Sequence, residues 1–174
     1  MKRLVLVSAA AGLLLTGCSG TGGTVTATGG GQGSGSASPS PADASSSAAN
    51  PTFGQTYSYD DGLKVTVSRP KKVTPSDSAV ATRQWPAYVS FTVTLTNGTK
   101  QNYDPTLFTT SLQSGTTEGG QVFDSAQGIE GAPTTPLLPG RQLRFSLGYG
   151  VQDPSDLVLQ VTPGFDRQPV IFTS

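Results

Sequence analysis

Hydrophobic and polar residues alternate with a period of two in four stretches of the chain. The clearest stretch covers residues 89–96, where Val89, Phe91, Val93 and Leu95 are separated by serine and threonine. Comparable alternation occurs at 63–68, 142–149 and 157–161. This period places the apolar side chains on one face of a β-strand and the polar ones on the other. The pattern therefore predicts four half-buried strands.

Shorter aromatic and β-branched segments predict further strands at 53–59, 106–113, 121–124 and 169–173. Glycine or proline interrupts the chain every few residues, and no window of about 11 residues carries a helical period of 3.6. Strands joined by short connections pair antiparallel, and two such sheets bury their apolar faces against each other. We predict that residues 53–174 form one all-β domain, an antiparallel β-sandwich of about seven to eight strands.

Two predicted strand ends carry hairpin signals, Asp60-Asp61-Gly62 and Asn97-Gly98. Glycine at such a position can adopt the positive φ that a tight hairpin turn needs. Asp60 and Asp61 have an alternative role as a carboxylate pair or as part of a calcium site. Turn chemistry accounts for both residues without a ligand.

The segment before the domain has a different composition. Residues 19–52 are almost entirely Gly, Ser, Thr, Ala and Pro, with one charge at Asp43 and one larger aliphatic residue at Val25. Such a segment cannot bury a core of its own, so residues 18–52 are predicted to form a disordered linker. A flexible coil of this length has an average reach of roughly 30 to 35 Å.

The first residues have the layout of a secretory signal. Lys2 and Arg3 precede an uncharged, mostly apolar run from Leu4 to Thr16. The run is shorter than the roughly 20 residues that span a membrane. We therefore predict a signal peptide over residues 1–17.

Leu15-Thr16-Gly17-Cys18 at the end of this run resembles the lipobox of bacterial lipoproteins. The resemblance implies cleavage before Cys18 and attachment of a diacylglyceryl group to its thiol. Two acyl chains form a stable anchor where one is marginal, so the expected location is the extracytoplasmic face of the cell membrane. The alternative is an ordinary secretory signal, with Cys18 as a free thiol.

Strand and turn motifs of the domain also carry a family resemblance. The motifs are Gly54, Asp61–Val67, Tyr88–Asn97 and Leu138-Pro139-Gly140 ahead of Phe145. Their order is similar to that in a family of bacterial extracellular domains of unknown function, telokin-like sandwiches found behind a lipobox and a linker in Gram-positive, actinobacterial-like envelopes. The resemblance implies an immunoglobulin-like fold and supplies no catalytic residues. No cysteine lies near Trp85, unlike the Cys-Trp-Cys core of antibody-type domains.

Charge and composition limit the function classes. Without Lys2 and Arg3, the mature chain has 9 basic residues left of 11, against 11 acidic ones, and it has no histidine. Its scattered cations predict no nucleic-acid partner, and the lack of histidine removes the commonest metal ligand and general base. We expect a protein that is not an enzyme and has no cofactor and no metal site. The basic cluster Arg69-Pro70-Lys71-Lys72 is interpreted as a solvated turn, or else as a contact for anionic wall polymer or lipid.

Three aromatic residues at predicted strand ends are binding candidates: Trp85, Tyr88 and Tyr103. They are interpreted either as the rim of the core or as a patch for sugar stacking or protein docking. The sequence thus predicts a lipoprotein anchored through Cys18, whose β-sandwich binds an envelope protein or a wall polymer. The alternative is a structural accessory of an envelope or export assembly that acts through its sheet edges.

Overall fold

A computed structural model of the protein describes the backbone of residues 23–26 and the whole of residues 50–174. Its regular structure consists of β-strands and two short 3-10 helices, Pro105–Leu107 and Ser125–Gln127. The strands are β1 (Gly23–Thr26), β2 (Thr56–Tyr59), β3 (Leu63–Val67), β4 (Lys71–Lys72), β5 (Val80–Ala81), β6 (Ala87–Asn97), β7 (Thr109–Ser114), β8 (Thr117–Glu118), β9 (Gly120–Phe123), β10 (Gln142–Val151), β11 (Leu157–Thr162) and β12 (Val170–Thr173).

The strands form two antiparallel sheets. An 8-stranded sheet A has the order β1-β2-β3-β6-β10-β9-β5, with β4 also paired to β6. A 4-stranded sheet B has the order β12-β11-β7-β8. The predicted all-β, immunoglobulin-like antiparallel β-sandwich is confirmed. Every predicted strand is present, and β1, β4, β5 and β8 are short additions that the alternation pattern did not indicate.

The core lies between the sheets, and β6 is its centre. Residues at alternate positions of β6, from Val89 to Leu95, are buried, as the period of two predicts. The Phe91 ring has its centroid 5.2 Å from that of Phe53 and 6.4 Å from that of Tyr149. Sheet B supplies the opposite wall with Leu112, Leu157, Leu159, Val161, Val170 and Phe172.

Because β6 has 11 residues, it extends over about 33 Å and gives the sandwich two distinct ends. We call the end where β6 finishes the near end; it contains the 60–62 turn and the loops 98–104 and 163–169. The opposite end, where β6 begins, is the far end; it contains the segment 70–86, the turn at 115–116 and the loop 152–156.

Two segments assigned to the linker take part in the sheets. Gly23–Thr26 forms β1 and pairs along its whole length with β2, so the prediction of disorder over 18–52 is wrong for these residues. Pro51 accepts a hydrogen bond at 3.1 Å from the backbone N–H of Thr173. A strand added at a sheet edge uses backbone groups alone, so a composition without core-forming side chains does not prevent it.

Two local predictions also need correction. Asn97-Gly98 does not form a positive-φ hairpin turn. Instead the Asn97 side chain is buried and donates to the carbonyls of Gln101 and Leu137, at 2.8 and 2.7 Å. Gly98 is needed for space, since a β-carbon there would lie 2.5 Å from the carbonyl oxygen of Gly62. The second correction concerns 106–113, where the 3-10 helix Pro105–Leu107 delays the start of β7 to Thr109.

Candidate functional site

The three aromatic binding candidates do not form one patch. Trp85 and Tyr88 lie at the far end, beside the start of β6, whereas Tyr103 follows the end of β6 at the near end. Cys18, the predicted lipid attachment residue, lies outside the described residues. Each end therefore has to be considered as a separate surface.

Trp85 lies flat on a floor made by two glycines that face each other in β9 and β10. A β-carbon on Gly150 would overlap the indole ring, and one on Gly120 would lie 2.6 Å from its Cζ2. Only these glycines leave room for the ring, which is 9% exposed. The indole Nε1 is buried and has no hydrogen-bond partner within the described part of the chain. The indole therefore packs on the outer face of sheet A and is not part of the hydrophobic core between the sheets.

An exposed arginine covers the other side of this indole. The Arg83 guanidinium carbon is 3.8 Å from the ring centroid, which is a cation–π contact. The backbone N–H of Trp85 donates to the Tyr88 hydroxyl at 3.1 Å, and that hydroxyl donates to Gln84 Oε1 at 3.4 Å. These contacts hold an arginine, a tryptophan and a tyrosine together on a rigid support.

Exposed lysines extend the positive charge at this end. Lys71 and Lys72 form β4, where Lys72 is paired with Val89, the residue after Tyr88. The basic cluster is therefore partly a strand, not the solvated turn that was expected. Within residues 50–174, none of Lys71, Lys72 and Arg83 lies within ion-pair distance of a carboxylate. We call these three residues and Tyr88 the far-end cationic surface; its lysines and Arg83 lie on opposite sides of β6.

An open groove of about 570 Å³ adjoins this surface. Its lining residues are Pro75, Ser76, Asp77, Ala79, Ala81, Arg83, Gln84 and Tyr88. The groove is a feature that sequence patterns did not indicate, because its walls come from an irregular segment without periodicity. A weak signal existed in the spacing of Arg83 and Trp85, two residues apart before a strand.

A buried carboxylate fixes the segment that forms this groove. Asp124, which follows β9, accepts hydrogen bonds from the Ser76 hydroxyl at 2.6 Å and from the Ser76 backbone N–H at 2.8 Å. It also accepts one from Gln127 Nε2 at 2.8 Å. The hydrogen bonds from Ser76 lower the pKa of Asp124 below its ordinary value. The ionised carboxylate therefore ties the 73–85 segment to sheet A.

At the near end, the candidate carboxylate Asp61 forms part of the fold, while Asp60 is exposed. Asp61 Oδ2 accepts from Arg167 Nε at 2.8 Å, and Asp61 Oδ1 accepts from the Leu63 backbone N–H at 3.0 Å. The residues described here contain no group of three His, Cys, Asp or Glu side chains that could hold a metal ion. The Tyr103 hydroxyl donates to the Pro163 carbonyl at 2.7 Å, and burial raises the pKa of this tyrosine.

A second open groove of about 570 Å³ lies beside Tyr103 and Arg167. Its rim carries two apolar side chains, Phe165, which is 94% exposed, and Leu107, which is 40% exposed. Phe165 and Leu107 line the same groove, so together they form one small exposed apolar area. The near end thus combines an apolar rim with an internal ion pair.

Neither a family model nor a curated protein matches the chain. Among solved structures, yjhA from Bacillus subtilis has a TM-score of 0.55 and 14% identity, with 71% of this chain and 98% of that chain covered. The Bacillus subtilis protein ycdA, described as a candidate lipoprotein, has a TM-score of 0.52 and 17% identity over 66% of this chain. The chain spans 36% of the length of ycdA.

An uncharacterized β-sandwich protein from Clostridium difficile 630 has a TM-score of 0.42 and 14% identity. Within residues 23–26 and 50–174, no helix has the length and apolar character needed to cross a membrane. At these identities, the similarity to yjhA and ycdA concerns the fold. The chain has a β-sandwich fold that it shares with bacterial proteins, one of them described as a candidate lipoprotein.

Proposed function

We propose that the protein is an extracytoplasmic lipoprotein, anchored through Cys18, whose β-sandwich is a binding module for an anionic partner in the cell envelope. The partner contacts the far-end cationic surface and the groove beside it. This proposal includes the telokin-like family assignment and the expectation that the protein is not an enzyme.

The observation that carries the proposal is the stacking of exposed Arg83 on Trp85. Arginine, tryptophan and tyrosine are the residues that contribute most to binding energy at protein interfaces. Here Gly120 and Gly150 fix the indole ring, and the ring in turn orients the guanidinium. Little side-chain freedom remains to be lost on binding, which favours affinity.

Charge supports an anionic partner. Lys71, Lys72 and Arg83 are exposed, and no carboxylate pairs with them within residues 50–174. An anionic wall polymer or an acidic segment of an envelope protein would supply the missing counter-charges. A planar guanidinium is well suited to phosphate and carboxylate groups because it donates two parallel hydrogen bonds.

The alternative role through sheet edges has less support. Sheet A ends in β1, with 4 residues, and in β5, with 2 residues. Sheet B ends in β8, with 2 residues, and in β12, with 4 residues, where Thr52 forms a bridge with Thr173. Short or covered edges offer few backbone groups to a partner strand.

The anchor is tested with Cys18→Ser in the full chain. We expect the wild-type protein to enter the detergent phase of Triton X-114 and the variant to stay in the aqueous phase. A variant that partitions like the wild type would overturn the lipid-anchor part of the proposal.

Binding is tested with the lipidated protein in detergent micelles and poly(glycerol phosphate) as the anionic probe. Trp85 is the chain's one tryptophan, so its emission reports directly on this surface. We expect a saturable emission change that weakens with added salt. Replacing Lys71, Lys72 and Arg83 by glutamine should weaken the apparent affinity by about tenfold or more.

The matched control is Lys100→Gln, which removes one exposed cation from the near end. It should leave the binding curve unchanged. Equal weakening by Lys100→Gln and by Arg83→Gln would mean that net charge, and not the far-end surface, governs binding. No saturable response to the polymer would exclude phosphodiester polymers as partners, and an unchanged response in the triple variant would overturn the assigned surface.

A further inference from the structure

We infer that β1 is an anchor-proximal strap that holds the near end of the sandwich against the membrane surface, with Phe165 facing the lipid interface. The inference rests on the proposed lipid anchor at Cys18. It assigns an orientation and a membrane-contacting surface to the domain.

The direction of β1 sets which end faces the membrane. β1 pairs antiparallel with β2, so that Gly23 lies opposite Tyr59 and Thr26 lies opposite Thr56. Tyr59 directly precedes the 60–62 turn, which belongs to the near end. The chain therefore joins the sheet at the near end and then runs toward the far end.

Chain length sets how close that end must be. Gly23 is five residues after Cys18 in the sequence. Five residues span at most about 18 Å, since an extended chain gains roughly 3.3 to 3.6 Å per residue. A free linker to residue 52 would instead have an average reach of about 30 to 35 Å. Pairing of β1 thus converts a long tether into a short one.

The entropic cost of pairing β1 with β2 is small. In the sequence 23 residues separate β1 from residue 50, and the entropic cost of bringing two points of a chain together rises only slowly with the number of residues between them. The β2 edge, in contrast, offers a row of backbone groups along its four residues. Because the backbone alone makes the pairing, the Gly- and Thr-rich sequence of β1 suits it.

The near end has a side chain suited to lipid. Phe165 is 94% exposed on the 163–169 loop, and Leu107 is 40% exposed beside it. One aromatic side chain is too little to recruit a soluble protein to a bilayer. Because the anchor lies five residues before Gly23, at the same end of the sandwich, Phe165 is already at high effective concentration at the membrane surface, so a small apolar gain is enough.

Charge alone would favour the opposite orientation. The near end carries three exposed aspartates and Lys100, whereas the far end carries the cationic surface together with three exposed aspartates; these residues are Asp60, Asp104 and Asp166 at the near end and Asp77, Asp153 and Asp156 at the far end. An anionic bilayer would attract the far end if the tether were free. The two orientations therefore give opposite results in one measurement.

The experiment uses the full lipidated chain in vesicles of phosphatidylcholine with phosphatidylglycerol. Since Cys18 is the chain's one cysteine and its thiol is blocked by lipid, a new cysteine can be labelled selectively. Lys100→Cys places an environment-sensitive dye at the near end, and Thr116→Cys places one at the far end. Vesicles with nitroxide-labelled headgroups then quench each dye according to its distance from the surface.

We expect severalfold stronger quenching at position 100 than at position 116. The backbone N–H groups of Thr24 and Val25 point to opposite sides of β1, so replacing both residues by proline removes a donor to β2 whichever of them faces it. The double variant Thr24→Pro, Val25→Pro should therefore disrupt β1 and remove the difference in quenching between positions 100 and 116. A matched pair of prolines outside β1, Ser36→Pro with Ala37→Pro, should preserve it. Phe165→Ser should reduce quenching at position 100 without releasing the protein from vesicles.

Flotation of the vesicles distinguishes the two possible failures. If the protein does not float with them, the lipid anchor is wrong, and both the proposed function and this inference fail. If it floats but the two dyes are quenched equally, or the β1 prolines change nothing, the strap is wrong and the anchor stands. Stronger quenching at position 116 would mean that the cationic far end lies on the lipid, which also overturns the inference.

Discussion

The Arg167 guanidinium lies against the Asp61 carboxylate, with Nε at 2.8 Å and Nη2 at 2.5 Å from the same Oδ2. This pair joins the turn between β2 and β3 to the loop between β11 and β12, across 106 residues of sequence. The second oxygen of Asp61 accepts the backbone N–H of Leu63. One side chain thus closes a hairpin and fastens a second loop to it.

Removing the charge of Asp61 should weaken the near end. We expect Asp61→Asn to lower the free energy of unfolding by about 1 kcal/mol, because a charge-assisted pair is lost but Asp61 is 32% exposed and partly screened. Urea unfolding measures the change. Asp60→Asn, one residue away on the exposed surface, should change stability by less than about 0.5 kcal/mol. Equal losses in the two variants would contradict the role of the Arg167 pair.

Phe91 is expected to be a major contributor to core stability. Its ring is buried between Phe53 and Tyr149, so Phe91→Ala leaves a cavity and should cost about 3 to 5 kcal/mol. Thr92, the next residue, faces the other side of sheet A, and Thr92→Ala should cost under about 1 kcal/mol. Urea unfolding of both variants would show similar losses if the assignment of the two faces were wrong.

Phe145 occupies the same face as Phe91 in the alternation pattern, yet it is only half-buried. It lies at the margin of the core, where its ring meets Phe108 edge to face with centroids 5.3 Å apart. We therefore expect Phe145→Ala to cost clearly less than Phe91→Ala, about 1 to 3 kcal/mol. A thermal or urea comparison in which Phe145→Ala is the more damaging change would contradict this.

The glycine floor under Trp85 makes a prediction with a spectroscopic readout. Gly150→Ala should push the indole outward, shift its emission to longer wavelength and cost about 1 to 3 kcal/mol through overpacking. Gly164→Ala is the control, because its new methyl group would meet the flexible Asp166 side chain at the near end. An unchanged emission spectrum in Gly150→Ala would mean that Trp85 accommodates the new methyl group without moving outward, which would contradict this prediction.

The alternation of apolar residues was enough to predict the strands that build the core. In β3, β6 and β11 the pattern indicated both the element and the buried face, because one face of each strand is covered by the other sheet. In β10 it indicated the element, but residues 147–151 are buried on both faces because Ile129 and Trp85 cover Gly148 and Gly150. The alternation pattern gives no information where burial does not determine the conformation. Gly23–Thr26 and Lys71–Lys72 are strands because a neighbouring edge needed backbone partners, which no side-chain period records.

The candidate surfaces were harder to predict than the fold. Trp85 and Tyr88 were identified as aromatic candidates, but the role of Arg83 depends on the position of two glycines more than 30 residues later in the chain. Arg167 likewise acquires its partner through a long-range contact. Such pairs depend on how distant loops meet, and only the assembled sandwich determines that.

The last prediction concerns the effect of low pH on the 73–85 segment, which carries Arg83. Hydrogen bonds from Ser76 hold the pKa of Asp124 below its ordinary value of 3.8. Above that value Asp124 is ionised in both the folded and the unfolded chain, so these hydrogen bonds contribute their full stabilisation. As pH falls below 3.8, the unfolded chain takes up the proton first, and the stabilisation is lost as pH passes the lower folded pKa.

Ser76→Ala removes the largest contribution to this shift, and its effect should therefore depend on pH. We expect the variant to be less stable than the wild type at neutral pH, and the gap to narrow as pH falls below 3.8. Urea unfolding over this range measures the gap, and an NMR titration of the Asp124 carboxyl should show its pKa rising toward the ordinary value in the variant. Ser125→Ala, beside Asp124 but exposed, should show no such dependence. A difference in stability between the two proteins that stays constant with pH would mean that Ser76 stabilises the far end by packing and not through the ionised carboxylate. In that case acid would leave the 73–85 segment attached to sheet A.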